Sequence, residues 1–145
     1  MSRTTQTRPE AIMRRYLRHP TDCPVDIGLS DVVRDREYLR NISRGGLCFI
    51  STIPIDAGAA IHIEIPIVEP VFETDGIVAW CQPITDGFEV GVRFADRDQN
   101  QQRVVEQVCQ IEQFKREIWI RDGRELSGEE AALEWIHRHQ AELTV

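Results

Sequence analysis

Nowhere in the 145 residues is there an apolar run approaching the roughly 18 residues that a membrane-spanning helix needs. The N-terminal stretch, where Arg3 and Arg8 stand among polar residues, also lacks the apolar segment of a secretory signal. These absences argue against membrane insertion and lead us to expect a cytoplasmic protein. The four cysteines, Cys23, Cys48, Cys81 and Cys109, are widely spaced without a paired ligand pattern, so in a reducing compartment they are expected to be small buried hydrophobes. Catalytic spacing is missing too. No Ser/His/Asp or Cys/His arrangement stands out, and His137 and His139, two apart on a predicted helix, face different directions and suit shared metal ligation poorly. Neither a catalytic residue nor a metal site is expected. Lysine is nearly absent, with Lys115 alone among seventeen basic residues, a bias that by itself points to no function.

Charge is unevenly spread. Residues 1–44 hold nine arginines against six acids, a balance of +3, and residues 45–145 hold eight basic against eighteen acidic groups, a balance of −10, giving the net −7. A long nucleic acid would be repelled by that acidic remainder, because duplex binding needs a broad positive face. A small, compact anion fits the local basic segment better.

Along the chain, residues 1–12 carry no hydrophobic period and are expected to form a mobile arm. From Pro24 the pattern is strand-like: residues 24–29, the stretch around Tyr38-Leu39, and 47–50. The clearest alternation is Ile61, Ile63, Ile65 and Ile67 on one parity against His62, Glu64 and Pro66 on the other; Pro66, lacking an N–H, suggests an edge strand or a bulge. Two more strands, 76–81 and 88–94, flank a turn containing Asp86-Gly87, and in the second Phe88, Val90, Val92 and Phe94 are expected to point inward. After Asp98 the period becomes helical: Val104, Val108, Ile111, Lys115 and Ile118 share a stripe broadened by Val105 and Trp119. Residues 121–124 break this helix, and Ser127-Gly128-Glu129-Glu130 supplies a capping box for a second one carrying Leu133, Trp135 and Ile136. The expected fold is mainly β, a six-stranded antiparallel barrel over residues 13–98 with a C-terminal helical hairpin over 99–145. The helices' apolar faces either cap the barrel or pair between two copies of the chain.

Two clusters carry chemistry. Arg14-Arg15-Tyr16-Leu17-Arg18 places three guanidinium groups just ahead of the first strand. Each is a planar fork of donors that fits phosphate oxygens and the O6/N7 edge of guanine, so the cluster reads as an anion clamp or, alternatively, as a solvated basic tail. Asn41-Ile42-Ser43-Arg44-Gly45-Gly46 precedes the apolar strand at Leu47. Asn41 and Ser43 can donate and accept hydrogen bonds from one strand face, and Gly45 and Gly46 allow close approach of a ligand, although the same residues also make an ordinary turn.

Taken together, Arg-x-x-x-Arg at Arg14 and Arg18 followed by Asn-x-Ser-x-x-Gly at Asn41, Ser43 and Gly46 resembles the signature of the PilZ family of bacterial cyclic di-GMP receptors. The resemblance extends through 76–80 and 90–94, and covers roughly residues 13–95. It implies a split-barrel fold and a cyclic di-GMP site. Arg14 and Arg18 would contact phosphate and guanine, Arg15 would add a stacking partner, and Asn41 and Ser43 would hydrogen-bond a guanine edge or phosphate. Gly46, with Gly45, would keep the turn clear of the ligand. Trp80, as a covering residue, and Arg93, on the outward face of the last strand, are lesser candidates; a Trp at that point equally suits the core.

The resemblance further implies a non-enzymatic second-messenger receptor. Its arginine arm would close over the barrel on binding, and its output in motility, biofilm or secretion control would pass through a downstream protein. A ligand-independent PilZ-like adaptor and, more remotely, a nucleotide hydrolase are the alternatives. Met13, where another cation could stand before the motif, favours a single bound cyclic di-GMP molecule or a looser dimer of it.

Overall fold

The computed structural model describes residues 17–29, 34–95 and 100–143. The stretch 1–12, Arg14 and Arg15 therefore lie outside the described residues.

Among the described residues seven strands and two helices follow one another: β1 His19–Pro20, β2 Pro24–Gly28, β3 Arg34–Ile42, β4 Gly46–Ser51, β5 Ala60–Ile65, β6 Phe72–Ile84, β7 Gly87–Phe94, α1 Asn100–Asp122 and α2 Gly128–Leu143. Hydrogen bonding runs in the order β3-β2-β5-β6-β7-β4, and β3 also pairs with β4, which closes a six-stranded antiparallel barrel; β1 adds to β3. Closure removes the sheet edges that would otherwise invite foreign strands.

Alternation explains which side chains fill the barrel. In β5, Ile61, Ile63 and Ile65 are buried, while His62 and Glu64 lie on the outer parity. Leu47, Phe49, Val90 and Val92 are fully buried, and the Phe72 and Phe94 rings meet edge to face at 5.8 Å. Removing Phe49 to Ala is expected to cost about 3–5 kcal/mol, the usual range for a buried aromatic. Pro66 behaves differently from expectation. β5 is paired on both sides by β2 and β6 and so is no edge strand; it ends at Ile65, one residue before the proline, whose missing N–H then removes no ladder bond. β6, at 13 residues, is longer than the 76–81 segment because its first half pairs with β5 and its second with β7.

α1 lays Val104, Val108, Ile111, Phe114 and Ile118 into the same core as the barrel, which accounts for its apolar stripe within one chain. Trp119, expected to widen that stripe, is instead 56% exposed, because it stands about 100° round the helix from Ile118. Lys115 holds Asp22 and Glu112 at 3.0 and 3.1 Å. The helix stops where Gly123 takes φ +70° and donates its N–H to Trp119 O at 2.9 Å. The capping box forms as expected: the Ser127 N–H donates to Glu130 Oε1 (2.8 Å) and the Glu130 N–H to Ser127 Oγ (3.1 Å). In α2 it is Ala131 and Ala132 that are buried, whereas Leu133 is exposed. No described helix is long and apolar enough to cross a membrane.

Candidate functional site

Two shifts of register build the site. On β3, Leu39 faces Phe49 and Asn41 faces Cys48, so Arg40 is an extra residue in a bulge. Leu39 and Ile42 point inward and are buried, which leaves Arg40 and Asn41, neighbours in sequence, both on the outer side. On β6 a second shift at Ala79 sets Trp80 opposite Gly91. Pairing then runs from Pro20 to Asn41, Cys48, Gly91 and Trp80 across five strands. At about 4.8 Å per strand, Asn41 and Trp80 stand roughly 14 Å apart along this row.

Gly91 is where the backbone itself makes room. A Cβ there would fall 2.2 Å from Trp80 Cε2 and Nε1, so the indole lies across the glycine on the outer face and outside the barrel interior. Asn41 Oδ1 and Trp80 Nε1 are the buried side-chain polar atoms that find no hydrogen-bond partner among the described residues. Leaving such a group unpaired costs about 1–3 kcal/mol. Both atoms lie on this one row.

Cations surround the row. Arg40 Nε lies 3.0 Å from Glu89 Oε2, and Gln82 Nε2 donates to Glu89 Oε1 at 2.9 Å. Arg93, exposed and two residues beyond Gly91, is paired in register with Gly46 and Ile77 and so shares the face. Arg18 is half-buried. Burial pushes the Cys48 thiol up to about 12, with Glu89 adding to the shift and the Arg40 and Arg18 charges opposing it, which puts Arg18 within electrostatic reach of Cys48. Beyond the rim a groove of about 710 Å³, lined by Leu17, His19 and Arg44 against Gln102, Val105 and Cys109, carries the surface on to α1.

The turn after Asn41 is organised from within. Ser43 is fully buried; its hydroxyl donates to Gly46 O at 3.2 Å and accepts from the Gly45 N–H at 3.3 Å, and its own N–H donates to Gly46 O at 2.8 Å. A Cβ on Gly46 would come 2.0 Å from Val92 O, so close strand packing alone demands glycine there. Gly45 O accepts from the Phe94 N–H at 3.0 Å. The structure thus gathers Asn41, Trp80 and Arg93 on one face, sets Arg18 just ahead of β1 within electrostatic reach of Cys48, gives Ser43, Gly45 and Gly46 a place in its supporting turn, and leaves Arg14 and Arg15 outside the described residues. Arg40, Cys48 and Gly91 belong to the face although sequence alone did not single them out. Arg40 could not have been found by alternation, since an unbulged strand would point it away from Asn41.

No curated protein matches the chain. Among solved structures, the PilZ domain with c-di-GMP of YcgR from Escherichia coli is similar at TM-score 0.58 and 19% identity, covering 77% of this chain and 98% of that one. The Bacillus subtilis inhibitor of motility (MotI/DgrA) is similar at 0.56 and 20%, covering 69% and 50%. The K. pneumonia MrkH–c-di-GMP complex is similar at 0.55 and 19%, covering 72% and 55%, so the alignments span about half the length of these last two proteins. At such identities the likeness concerns the fold. The PilZ domain family profile, however, matches residues 13–110, and the chain belongs to the PilZ domain family.

Proposed function

We propose that the outer face of β3, β4, β7 and the second half of β6 binds cyclic di-GMP, and that the protein is a non-enzymatic receptor that signals to a protein partner. The observation that carries this reading is the pair of buried, unpartnered atoms, Asn41 Oδ1 and Trp80 Nε1, on one row among arginines. Asn41 Oδ1 accepts from the donor edge of a guanine, while Arg18, with Arg14 and Arg15, gives charge-assisted hydrogen bonds to phosphate and to guanine O6/N7. Trp80 covers the ligand and offers Nε1–H. Ser43, Gly45 and Gly46 hold the turn against the ligand, and Arg93 meets it at the far rim. Two structures similar to this chain are described with c-di-GMP, YcgR's PilZ domain and MrkH, which supports the ligand assignment.

Binding draws the segment 8–20 over the face, and the route outward begins a few residues later. Thr21 Oγ1 donates to Glu112 Oε2 at 2.7 Å, Lys115 Nζ donates to Asp22 Oδ1 at 3.0 Å, and the Gly128 N–H donates to the same oxygen at 2.8 Å. Any movement of the arm thereby reaches α1 and the start of α2 together, which makes the helical hairpin the output element. Calorimetric titration with cyclic di-GMP tests the receptor reading. Saturable binding that Arg18→Ala greatly weakens is expected; no binding by the wild type would favour the ligand-independent adaptor, and linear dinucleotide appearing on chromatography would favour a hydrolase. Hydrogen exchange tests the closure: unchanged protection of residues 8–20 on adding ligand would refute it.

A further inference from the structure

Across the ring from β4 and β7 stand β2 and β5, whose outer surface continues onto the first half of β6. Register lays two rows there: Asp26, Glu64 and Glu73 in one, Gly28, His62 and Asp75 in the next. Asp26 is matched by Arg36. Glu64 and Glu73 are directly opposed across the β5–β6 pair, which brings their carboxylates to one place on the outer surface.

His62 reaches into this row. Its Nδ1 lies 3.0 Å from Asp75 Oδ1 and its Nε2 2.8 Å from Glu73 Oε1. A neutral imidazole that donates Nδ1–H to Asp75 presents only a lone pair at Nε2, and a lone pair cannot hydrogen-bond a carboxylate oxygen. The short approach of two acceptors is stable with a cation between them, either a second ring proton or a metal ion. Histidine ligands of metals commonly donate their other N–H to a carboxylate, which is the part Asp75 plays. Nε2 and carboxylate oxygens of Glu64 and Glu73 all lie within 4.8 Å of one another. An ion about 2.0–2.2 Å from each would hold its ligands roughly 3.3 Å apart, a small opening of the present spacing. The Glu73 side chain, 57% exposed, has room to make it. A cavity of about 540 Å³ lined by His62, Glu73 and Asp75 gives entry and leaves coordination positions for water.

We propose that His62 Nε2, Glu64 and Glu73 bind one divalent transition-metal ion of the Zn²⁺ class on the outer face of β5 and β6, with Asp75 orienting the imidazole. One nitrogen and two carboxylates suit such an ion. The ligands come from two strands and meet only through register, so no metal-binding spacing shows in the sequence. The site stands apart from the proposed nucleotide face and does not depend on it.

The test is a calorimetric titration of ZnCl₂ into protein stripped with a chelator and dialysed. Expected is one saturable event that His62→Ala abolishes and that Asp75→Asn weakens by about 10–100-fold, as loss of an orienting carboxylate does. The event persists in Cys81→Ser/Cys109→Ser, which separates it from thiol binding. Zn²⁺ raises the unfolding midpoint of the wild type and leaves that of His62→Ala unmoved, while equal metal-free midpoints show that the variant folds. No saturable event in the wild type overturns the proposal, and so does an event that survives His62→Ala.

Discussion

The two outer faces of this barrel obey the same strand alternation and carry opposite chemistry. On the face of β3, β4 and β7, arginines gather around Asn41 and Trp80, whose Oδ1 and Nε1 are buried and find no partner among the described residues. On the face of β2 and β5, Asp26 is matched to Arg36 of β3, and His62 meets Glu73 and Asp75. A net charge of −7 describes neither face. Charge is local: one surface gathers arginines about two unpartnered polar atoms, and the other gathers a histidine among carboxylates.

The largest expected effect breaks the cationic face. Arg14→Ala/Arg18→Ala should weaken cyclic di-GMP binding by about 100-fold or more, since hydrogen bonds to charged groups contribute about 1.5–3 kcal/mol each. His62→Ala in the same calorimetric assay should leave that affinity unchanged; a matching loss would show that the two faces are not independent. Next comes Gly91→Ala. Its Cβ would meet the indole at 2.2 Å and push Trp80 off the row, so affinity should fall roughly tenfold by loss of a base-covering aromatic.

Asn41→Ala sharpens the comparison through sign. Removing an unpartnered buried oxygen should leave the unliganded protein as stable as before, or stabilise it by up to about 1 kcal/mol in urea unfolding, while ligand affinity drops about tenfold. Loss of both stability and affinity would mean that Asn41 serves the fold.

The smallest effect is with pH. Burial holds the Cys48 thiol at about 12, and likewise Cys23, so the folded protein keeps protons that the unfolded chain releases. This stabilisation is complete below the unfolded thiol value of about 9 and is lost as pH rises toward about 12. The urea midpoint should therefore fall between about pH 9 and 11, and fall less in Cys23→Ala/Cys48→Ala.

Much of this was legible without coordinates. Alternating isoleucines, the Ser127 capping box and the Gly123 break became β5, the start of α2 and the end of α1, because each rests on neighbours in sequence. The Arg-x-x-x-Arg and Asn-x-Ser-x-x-Gly motifs can be read from the sequence as a pair, and the fold pairs Pro20, two residues after Arg18, with Asn41. Trp119 and Leu133 are exposed where the pattern expects them inward, because a stripe on a helix has a width that only the packed partner sets; Phe114, Ala131 and Ala132 are buried instead. Ser43, expected to face a ligand, turns its hydroxyl into its own loop.

What the sequence determined by itself is the set of elements, their inward sides and the chemistry brought near the barrel, since these follow from short-range periodicity, turn residues and side-chain type. The tertiary structure alone decided which residues became neighbours. Bulges at Arg40 and Ala79 shift two strands by one residue, which turns Arg40 outward beside Asn41 and lays Trp80 across Gly91. Cross-strand pairing likewise brings Glu64 and Glu73 together from nine positions apart. Register is a property of the closed barrel, fixed by packing across strands distant in the chain, and no local pattern encodes it.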